Sequence, residues 1–241
     1  MELLGSGEVH LKIALLGEFI SSSHVQKAMR LLSVEEKAKQ QNYSFDKDKN
    51  LYLLARYLVR TSLSKYTTGI SPADWKFEFN PYGRPFIANA NKPSNLYFNL
   101  AHTDGIVVCA IASTGEVGVD VENSMRVCSY LDLAEHCFSE REIERFKSFT
   151  TEQQAAEFFK FWTLKESYIK ARGMGLQLPL DQFSFLINKD DDIKIMFDER
   201  MNEDSARWQF MLQQPISNFQ VAIALATEKP LKVRRELIRF D

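Results

Sequence analysis

Cysteine is scarce in this sequence, and the three that occur, Cys109, Cys128 and Cys137, include no pair at C-x-x-C spacing. An odd number without such a pair argues against a disulfide framework and against a cysteine-based zinc site. Uninterrupted apolar runs of membrane-spanning length are also missing. The N-terminus, which carries Glu2 and Glu8, lacks the basic-then-apolar order of a secretion signal. We therefore expect a cytoplasmic protein without a membrane partner.

Net charge is small, because 30 Lys and Arg residues stand against 32 Asp and Glu residues, which leaves −2. No global basic field exists to concentrate a polyanion, so we expect no nucleic-acid partner, and any anion site has to be built locally. The sequence has neither a Walker-type glycine loop nor a kinase glycine-rich loop, which argues against a nucleotide kinase. Its 241 residues, 45% of them hydrophobic, suffice for one large domain or two modest ones.

Two parts of the chain share one pattern, in which a polar turn separates two β-rich runs and alternating alanines end the second run. They are residues 97–112 ("YFNLAHTDGIVVCAIA") and 209–226 ("QFMLQQPISNFQVAIALA"). A long helix is predicted ahead of each, at residues 47–65 and at about 152–172. These elements predict an α+β fold. The pattern alone leaves an internal duplication open, because β-hairpins resemble one another.

Two acidic residues lie two positions apart on the predicted strand "EVGVDVE". Side chains alternate across a strand, so Asp120 and Glu122 point to one face, and Val119 and Val121 point to the other. Gly118 lets another backbone or a ligand come close. Two carboxylates on one face repel each other unless a cation or a proton lies between them. A solvated strand face is the alternative interpretation, and the pair alone does not exclude it.

The aromatic stretch "FWTLKESYIKARGMG" is predicted to be helical, yet it contains charges that are costly to bury alone. Trp162, Glu166 and Lys170 fall at i, i+4 and i+8 and form one stripe. A surface ion pair between Glu166 and Lys170 is the alternative, but the aromatic crowding argues against simple exposure. If Glu166 meets the two strand carboxylates, the three oxygen ligands suit Mg²⁺. Lys165 and Lys170 could then hold phosphate oxygens during metal-assisted transfer at a phosphate.

The strand "VGVDVE", followed about forty residues later by "FWTLKESYIK", resembles the paired signatures of Sfp-type 4'-phosphopantetheinyl transferases. The turn "YGRP", the strand "FNLAH" and the segment "GMGLQLPLDQFSF" are similar to further parts of that family, so the resemblance spans nearly the whole chain. It implies a monomeric pseudo-dimer of two similar α+β subdomains, each a small antiparallel sheet packed with a long helix. We place the subdomains at residues 1–117 and 118–241, with coenzyme A bound in an active-site cleft between them.

The same resemblance implies a reaction. Such enzymes transfer the 4'-phosphopantetheine group from coenzyme A to a serine of an apo acyl or peptidyl carrier protein and release 3',5'-ADP. By position, Asp120, Glu122 and Glu166 would hold Mg²⁺ against the diphosphate. Glu166, directly or through a water that it orients, would take the proton of the serine. Lys170 would contact the diphosphate oxygens.

Nucleotide contacts also follow from the resemblance. Lys39 and His102 would contact the 3'-phosphate, and Arg84 would lie beside the nucleotide. Three positions depart from the family pattern. Ala101 replaces a serine and removes a hydroxyl, Arg84 replaces a lysine and changes the donor geometry, and Glu36 stands where relatives often have a basic residue.

The partner implied by the resemblance is a carrier protein, which family members contact through the segment that here runs from Met125 to Phe138. The sequence leaves the pathway open among polyketide, nonribosomal-peptide and specialised fatty-acid synthesis. A non-catalytic carrier-protein or nucleotide-binding module with the same fold is the alternative. The three retained carboxylates argue against that alternative, because a site that has lost its function has no reason to keep all of them.

Overall fold

A computed structural model describes the protein over residues 1–127, 129–188 and 192–240. Within those ranges, no helix is long and apolar enough to cross a membrane. The α-helices are, in chain order, α1 (Leu16–Phe19), α2 (Ser22–Leu31), α3 (Val34–Gln41), α4 (Asp46–Leu63), α5 (Tyr130–Cys137), α6 (Glu140–Lys147) and α7 (Thr151–Arg172). The strands are β1 (Glu8–Leu15), β2 (Phe77–Phe79), β3 (Pro85–Ile87), β4 (Tyr97–Thr103), β5 (Ile106–Ala112), β6 (Val117–Asn123), β7 (Phe183–Ile187), β8 (Ile193–Phe197), β9 (Trp208–Ile216), β10 (Phe219–Ala226) and β11 (Lys232–Ile238).

The chain forms two compact units, one of Met1–Gly115 with the residues from Lys232 onward, and one of Glu116–Leu231. The end of the chain thus differs from the predicted division, which assigns the whole C-terminal part to the second subdomain. Strand β11 pairs in parallel with β1, and this pairing sets Glu236 opposite Lys12. The Lys12 ammonium lies 2.6 Å from the Glu236 carboxylate, so an ion pair supports the return of the chain to the first unit.

Both units repeat one connectivity. The first sheet has the order β11–β1–β5–β4, and the second has the order β6–β10–β9. In each unit a strand leads into helices that end with a long one, α4 or α7, and a two-stranded hairpin and a second hairpin follow. The last strand of the second hairpin, β5 or β10, inserts beside the first strand. The predicted α+β fold of two similar subdomains is therefore confirmed, with one parallel pair, β1–β11, in otherwise antiparallel sheets.

Helix α7 explains the aromatic stretch of the sequence, because most of its circumference is buried in the core of the second unit. The Phe158 ring stacks on Phe138 at a centroid distance of 5.3 Å, and the Tyr168 ring meets Trp208 edge-on at 4.9 Å. In the first unit, α4 buries its leucines against the sheet in the same way. Burial of this apolar area is the main favourable contribution to the stability of each unit.

Strand β6 and helix α7 approach each other closely at Gly118. A Cβ atom at this position would lie 1.9 Å from the carbonyl oxygen of Ser167 and 2.5 Å from the amide nitrogen of Ala171. Both neighbours are backbone atoms of a buried helix, so they cannot move aside as the tip of a flexible side chain would. Glycine at residue 118 therefore sets the distance between the two elements that carry the predicted carboxylates.

We expect Gly118→Ala to lower the free energy of unfolding by about 3 kcal/mol or more, because the new methyl group overlaps helix backbone. Urea unfolding followed by circular dichroism measures this loss. Gly17→Ala on α1 is the matched control, since a Cβ there meets nothing within 4 Å and alanine favours a helix. Equal stability of the Gly118→Ala and wild-type proteins would contradict the packing argument.

Candidate functional site

Strand β6 presents its two carboxylates on the face that meets α7. Gly118, Asp120 and Glu122 alternate with valines, and Val119 and Val121 are buried on the opposite face, as predicted. Asp120 is only 5% exposed. The solvated strand face that was the alternative interpretation therefore does not describe Asp120.

The predicted stripe of α7 lies against these carboxylates. The indole Nε1–H of Trp162 donates to Glu122 Oε1 at 3.1 Å, and the Lys170 ammonium donates to Asp120 Oδ1 at 2.6 Å. Glu166 lies one turn from each of these two helix residues, between them on the stripe. Strand and helix thus bring together, within the second unit, side chains that are about forty to fifty residues apart in the sequence.

Negative charge accumulates at this point. Burial, and then the neighbouring Asp120 carboxylate, raise the pKa of Glu166 from 4.5 to about 7, against the opposing influence of Lys170. Burial and Asp120 also raise the pKa of Glu122. Burial disfavours the Lys170 ammonium, but Asp120 and the two glutamates outweigh it and raise the pKa of Lys170. The three carboxylates therefore influence one another, and Lys170 offsets only part of their charge.

The donor chemistry of the three carboxylates fits a hard divalent cation. Asp120 Oδ2 is buried and has no hydrogen-bond partner among the described residues, and a buried, unpaired carboxylate oxygen is costly without a cation. Across residues 1–127, 129–188 and 192–240, however, no group of three or more His, Cys, Asp or Glu side chains is arranged so that it could hold a metal ion. The ligands suit Mg²⁺ in type, but they are not preassembled as a metal site.

Lys165 has a structural position and does not face the carboxylates. Its side chain is fully buried, and its ammonium lies 2.8 Å from Glu142 Oε2 and donates to the carbonyl oxygens of Leu180 and Phe183 at 2.7 Å each. Glu142 also accepts from the Phe185 amide at 2.8 Å. The prediction that Lys165 contacts a phosphate is therefore not supported, because its ammonium joins α6 and α7 to the start of β7 and to the turn before it.

Two contacts of Glu122 were not anticipated from the sequence. One is the indole hydrogen bond of Trp162, which the i, i+4 spacing from Glu166 could have indicated. The other is Arg126, whose guanidinium lies 3.7 Å from Glu122 Oε2. Arg126 lies four residues beyond Glu122, after the strand ends, and the sequence placed it only in the segment predicted to contact the carrier protein.

Lys39 in the first unit lines a cavity of about 380 Å³, together with Glu36, Tyr52, Arg56 and Phe79. Its ammonium lies 5.8 Å from the centroid of the Tyr52 ring and 5.9 Å from that of Phe79, which is cation–π distance. Glu36 does not leave an uncompensated charge there, because the Arg60 guanidinium binds it at 2.6 Å and Arg56 lies 3.8 Å away.

The other predicted nucleotide contacts, Arg84 and His102, also lie in the first unit. Arg84 donates to the carbonyl oxygen of Gly115 at 2.7 Å and lines a second cavity of about 290 Å³ with Lys92 and Tyr97. His102 is exposed near the end of β4. The assignment of Lys39, Arg84 and His102 to one nucleotide remains a prediction.

Comparison with known proteins gives matches along most of the chain. A family model described as "4'-phosphopantetheinyl transferase superfamily" matches residues 116–224, and one described as "4'-phosphopantetheinyl transferase, N-terminal" matches residues 20–114. The transferase Sfp of Bacillus subtilis is 30% identical, over 73% of this chain and 75% of that protein. The transferase gsp of Aneurinibacillus migulanus is 35% identical, over 72% and 70%. HetI of Nostoc sp. is 28% identical, over 92% and 89%.

A solved structure, the holo-[acyl-carrier-protein] synthase of Thermotoga maritima, matches with a TM-score of 0.37 and 22% sequence identity. That match covers 47% of this chain and 63% of the other.

We expect the raised pKa of Glu166 to appear in the pH dependence of stability. The folded state holds this proton up to about pH 7, whereas the unfolded chain releases it near pH 4.5. The free energy of unfolding of the wild type therefore falls as pH rises between these values. In Glu166→Gln this fall should be smaller by about 3 kcal/mol. Urea unfolding from pH 4.5 to pH 8, with a chelator present, measures the difference, and parallel curves would contradict the raised pKa.

Proposed function

The chain belongs to the 4'-phosphopantetheinyl transferases, and from that premise we propose that Asp120, Glu122 and Glu166 form its magnesium-dependent active site. The enzyme transfers the 4'-phosphopantetheine group from coenzyme A to a serine of an apo acyl or peptidyl carrier protein. The observation that carries the proposal is the cluster of three mutually interacting carboxylates with Lys170, in which one buried Asp120 oxygen has no hydrogen-bond partner among the described residues.

The carboxylates of Asp120, Glu122 and Glu166 are the residues that would hold Mg²⁺. When bound, the ion would neutralise charge on the diphosphate of coenzyme A and on the departing 3',5'-ADP. Asp120 suits this role because its Oδ2 atom is buried and unpaired within the described part of the chain. Burial, and then the neighbouring Asp120 carboxylate, raise the pKa values of Glu122 and Glu166, and a bound cation would favour their ionised forms.

Glu166 also has the properties of a general base. Before a cation binds, burial and Asp120 raise its pKa to about 7, so this carboxylate is more basic than an ordinary glutamate. In the proposed step, the serine O–H proton passes to Glu166, and the serine oxygen bonds to the phosphorus attached to pantetheine. The bond from that phosphorus to the bridging oxygen breaks, and 3',5'-ADP leaves with the electron pair.

Lys170 contributes a permanent positive charge. Its pKa is raised above the ordinary value although partial burial opposes the charged form, because Asp120 and the two glutamates favour the ammonium. A protonated Lys170 beside Asp120 can stabilise diphosphate oxygens as their charge increases in the transition state. In the same proposal, Lys39, Arg84 and His102 supply the nucleotide contacts.

The proposed carrier-docking segment follows β6 and begins at Met125. Met125 is 67% exposed and Val127 is 89% exposed. Exposed apolar residues beside a catalytic site are typical of a protein-binding surface. We place the enzyme in polyketide, nonribosomal-peptide or specialised fatty-acid synthesis, as a cytoplasmic monomer in which one chain supplies both copies of the repeated unit.

Incubation of the protein with coenzyme A, Mg²⁺ and an apo carrier protein tests the function directly. Mass spectrometry should show that the carrier gains one phosphopantetheine group, and removal of Mg²⁺ with a chelator should stop the transfer until Mg²⁺ is restored. Unchanged mass across acyl and peptidyl carriers would favour the alternative, a non-catalytic binding module with the same fold.

We expect Glu166→Gln to slow transfer by roughly 10²- to 10⁴-fold, the usual contribution of a general base, while the protein stays folded. The initial rate of carrier modification measures this effect. Glu157→Gln is the matched control on the same helix, because Glu157 pairs with Lys160 at 2.6 Å and has no proposed role. Wild-type rates in a folded Glu166→Gln protein would reject the assignment.

A further inference from the structure

The hydrogen bond between Trp162 and Glu122 joins the aromatic part of α7 to one of the proposed metal ligands. The indole Nε1–H donates to Glu122 Oε1 at 3.1 Å, and the Glu122 side chain is 14% exposed. A carboxylate with so little access to water depends on protein donors to keep its orientation. A role for Trp162 in orienting Glu122 depends on the function proposed for these carboxylates.

The indole ring is itself held in place by the core. It stacks on the Phe158 ring one turn earlier, with an interplanar angle of 8° and a centroid distance of 6.2 Å. Phe158 is 2% exposed and packs in turn against Phe138 and Phe146. Through this stack the packing of the second unit determines where the indole N–H points.

Glu122 has a second partner, which lies nearest its other carboxylate oxygen. The Arg126 guanidinium lies 3.7 Å from Glu122 Oε2, on the chain that leaves the strand between the exposed residues Met125 and Val127. Trp162 holds Oε1 on the side of α7, where Glu166 and Lys170 lie. If the indole donor were lost, the remaining attraction would turn the carboxylate toward Arg126.

We propose that Trp162 is a positioning residue that keeps Glu122 directed toward the carboxylate cluster in competition with Arg126. Its indole N–H thereby raises the affinity of the cluster for a divalent cation. Donors that orient a metal-binding carboxylate change metal affinity by roughly 10- to 100-fold when they are removed. The aromatic residues Phe158 and Trp162 of α7 thus fix the direction of an acidic residue of β6.

Trp162→Phe tests the proposal, because it keeps an aromatic ring for stacking on Phe158 and deletes only the indole donor. The probe is Mn²⁺, whose free concentration is followed by electron paramagnetic resonance with the full-length protein and coenzyme A, in the absence of carrier protein. We expect the Kd for Mn²⁺ to rise at least about 10-fold. Adding Arg126→Gln should recover part of the lost affinity, because the competing partner is gone.

Trp208→Phe is the matched control, since the Trp208 Nε1–H is buried without a hydrogen-bond partner among the described residues. That change should leave the Kd for Mn²⁺ unaltered. An unchanged Kd in Trp162→Phe, or a loss that Arg126→Gln does not relieve, would overturn the positioning role. A wild-type protein that binds no Mn²⁺ sensitive to Asp120→Asn would instead overturn the proposed metal-dependent function.

Nuclear magnetic resonance of the wild-type protein gives a second measurement that needs no stable variant at residue 162. The indole resonance of Trp162 should shift when Mg²⁺ is added to the complex with coenzyme A. The resonance of Trp75, which donates to Ser64 Oγ at 2.8 Å in the first unit, serves as the internal reference. Equal responses of the two indoles to Mg²⁺ would overturn the proposal.

Discussion

The contact of β6 with α7 at Gly118 is the constraint on which the candidate site depends. Because residue 118 has no side chain, the strand lies directly against the backbone at Ser167 and Ala171. The face of β6 that meets α7 at this glycine also carries Asp120 and Glu122. The proposed cluster of like charges is therefore positioned by a backbone contact that carries no charge.

That arrangement places three carboxylates close together, and their mutual repulsion lowers the stability of the fold. The surrounding residues offset this repulsion only in part. Lys170 pairs with Asp120, Trp162 donates to Glu122, and Glu166 responds by holding its proton up to about pH 7. Burying like charges together lowers the stability of a fold unless a ligand compensates them. We interpret the remaining charge as the feature that makes this part of the second unit suited to a cation and a diphosphate.

Two lysines of one motif have different partners because they lie on different sides of the same helix. Lys165 and Lys170 are five residues apart, and at 3.6 residues per turn their side chains point to different sides of α7. Lys165 is buried with Glu142, where it joins helices to a strand, and Lys170 reaches Asp120. Spacing alone could have separated the two lysines from each other. It could not say which of them faced the carboxylates, because that depends on which side of the helix meets β6.

The amino-acid sequence by itself determined the α+β fold, the long helices, the two hairpins and the stripe of Trp162, Glu166 and Lys170. These follow from local periodicity, which a single segment contains in full. The family, too, could be recognised from the motifs alone. Only the tertiary structure decided that β11 returns to the first unit, that Lys165 is buried, and that Arg126 and Trp162 share Glu122. Each of these depends on which distant segments pack together, and hydrogen bonds and ion pairs between such segments leave no periodic signal along the chain.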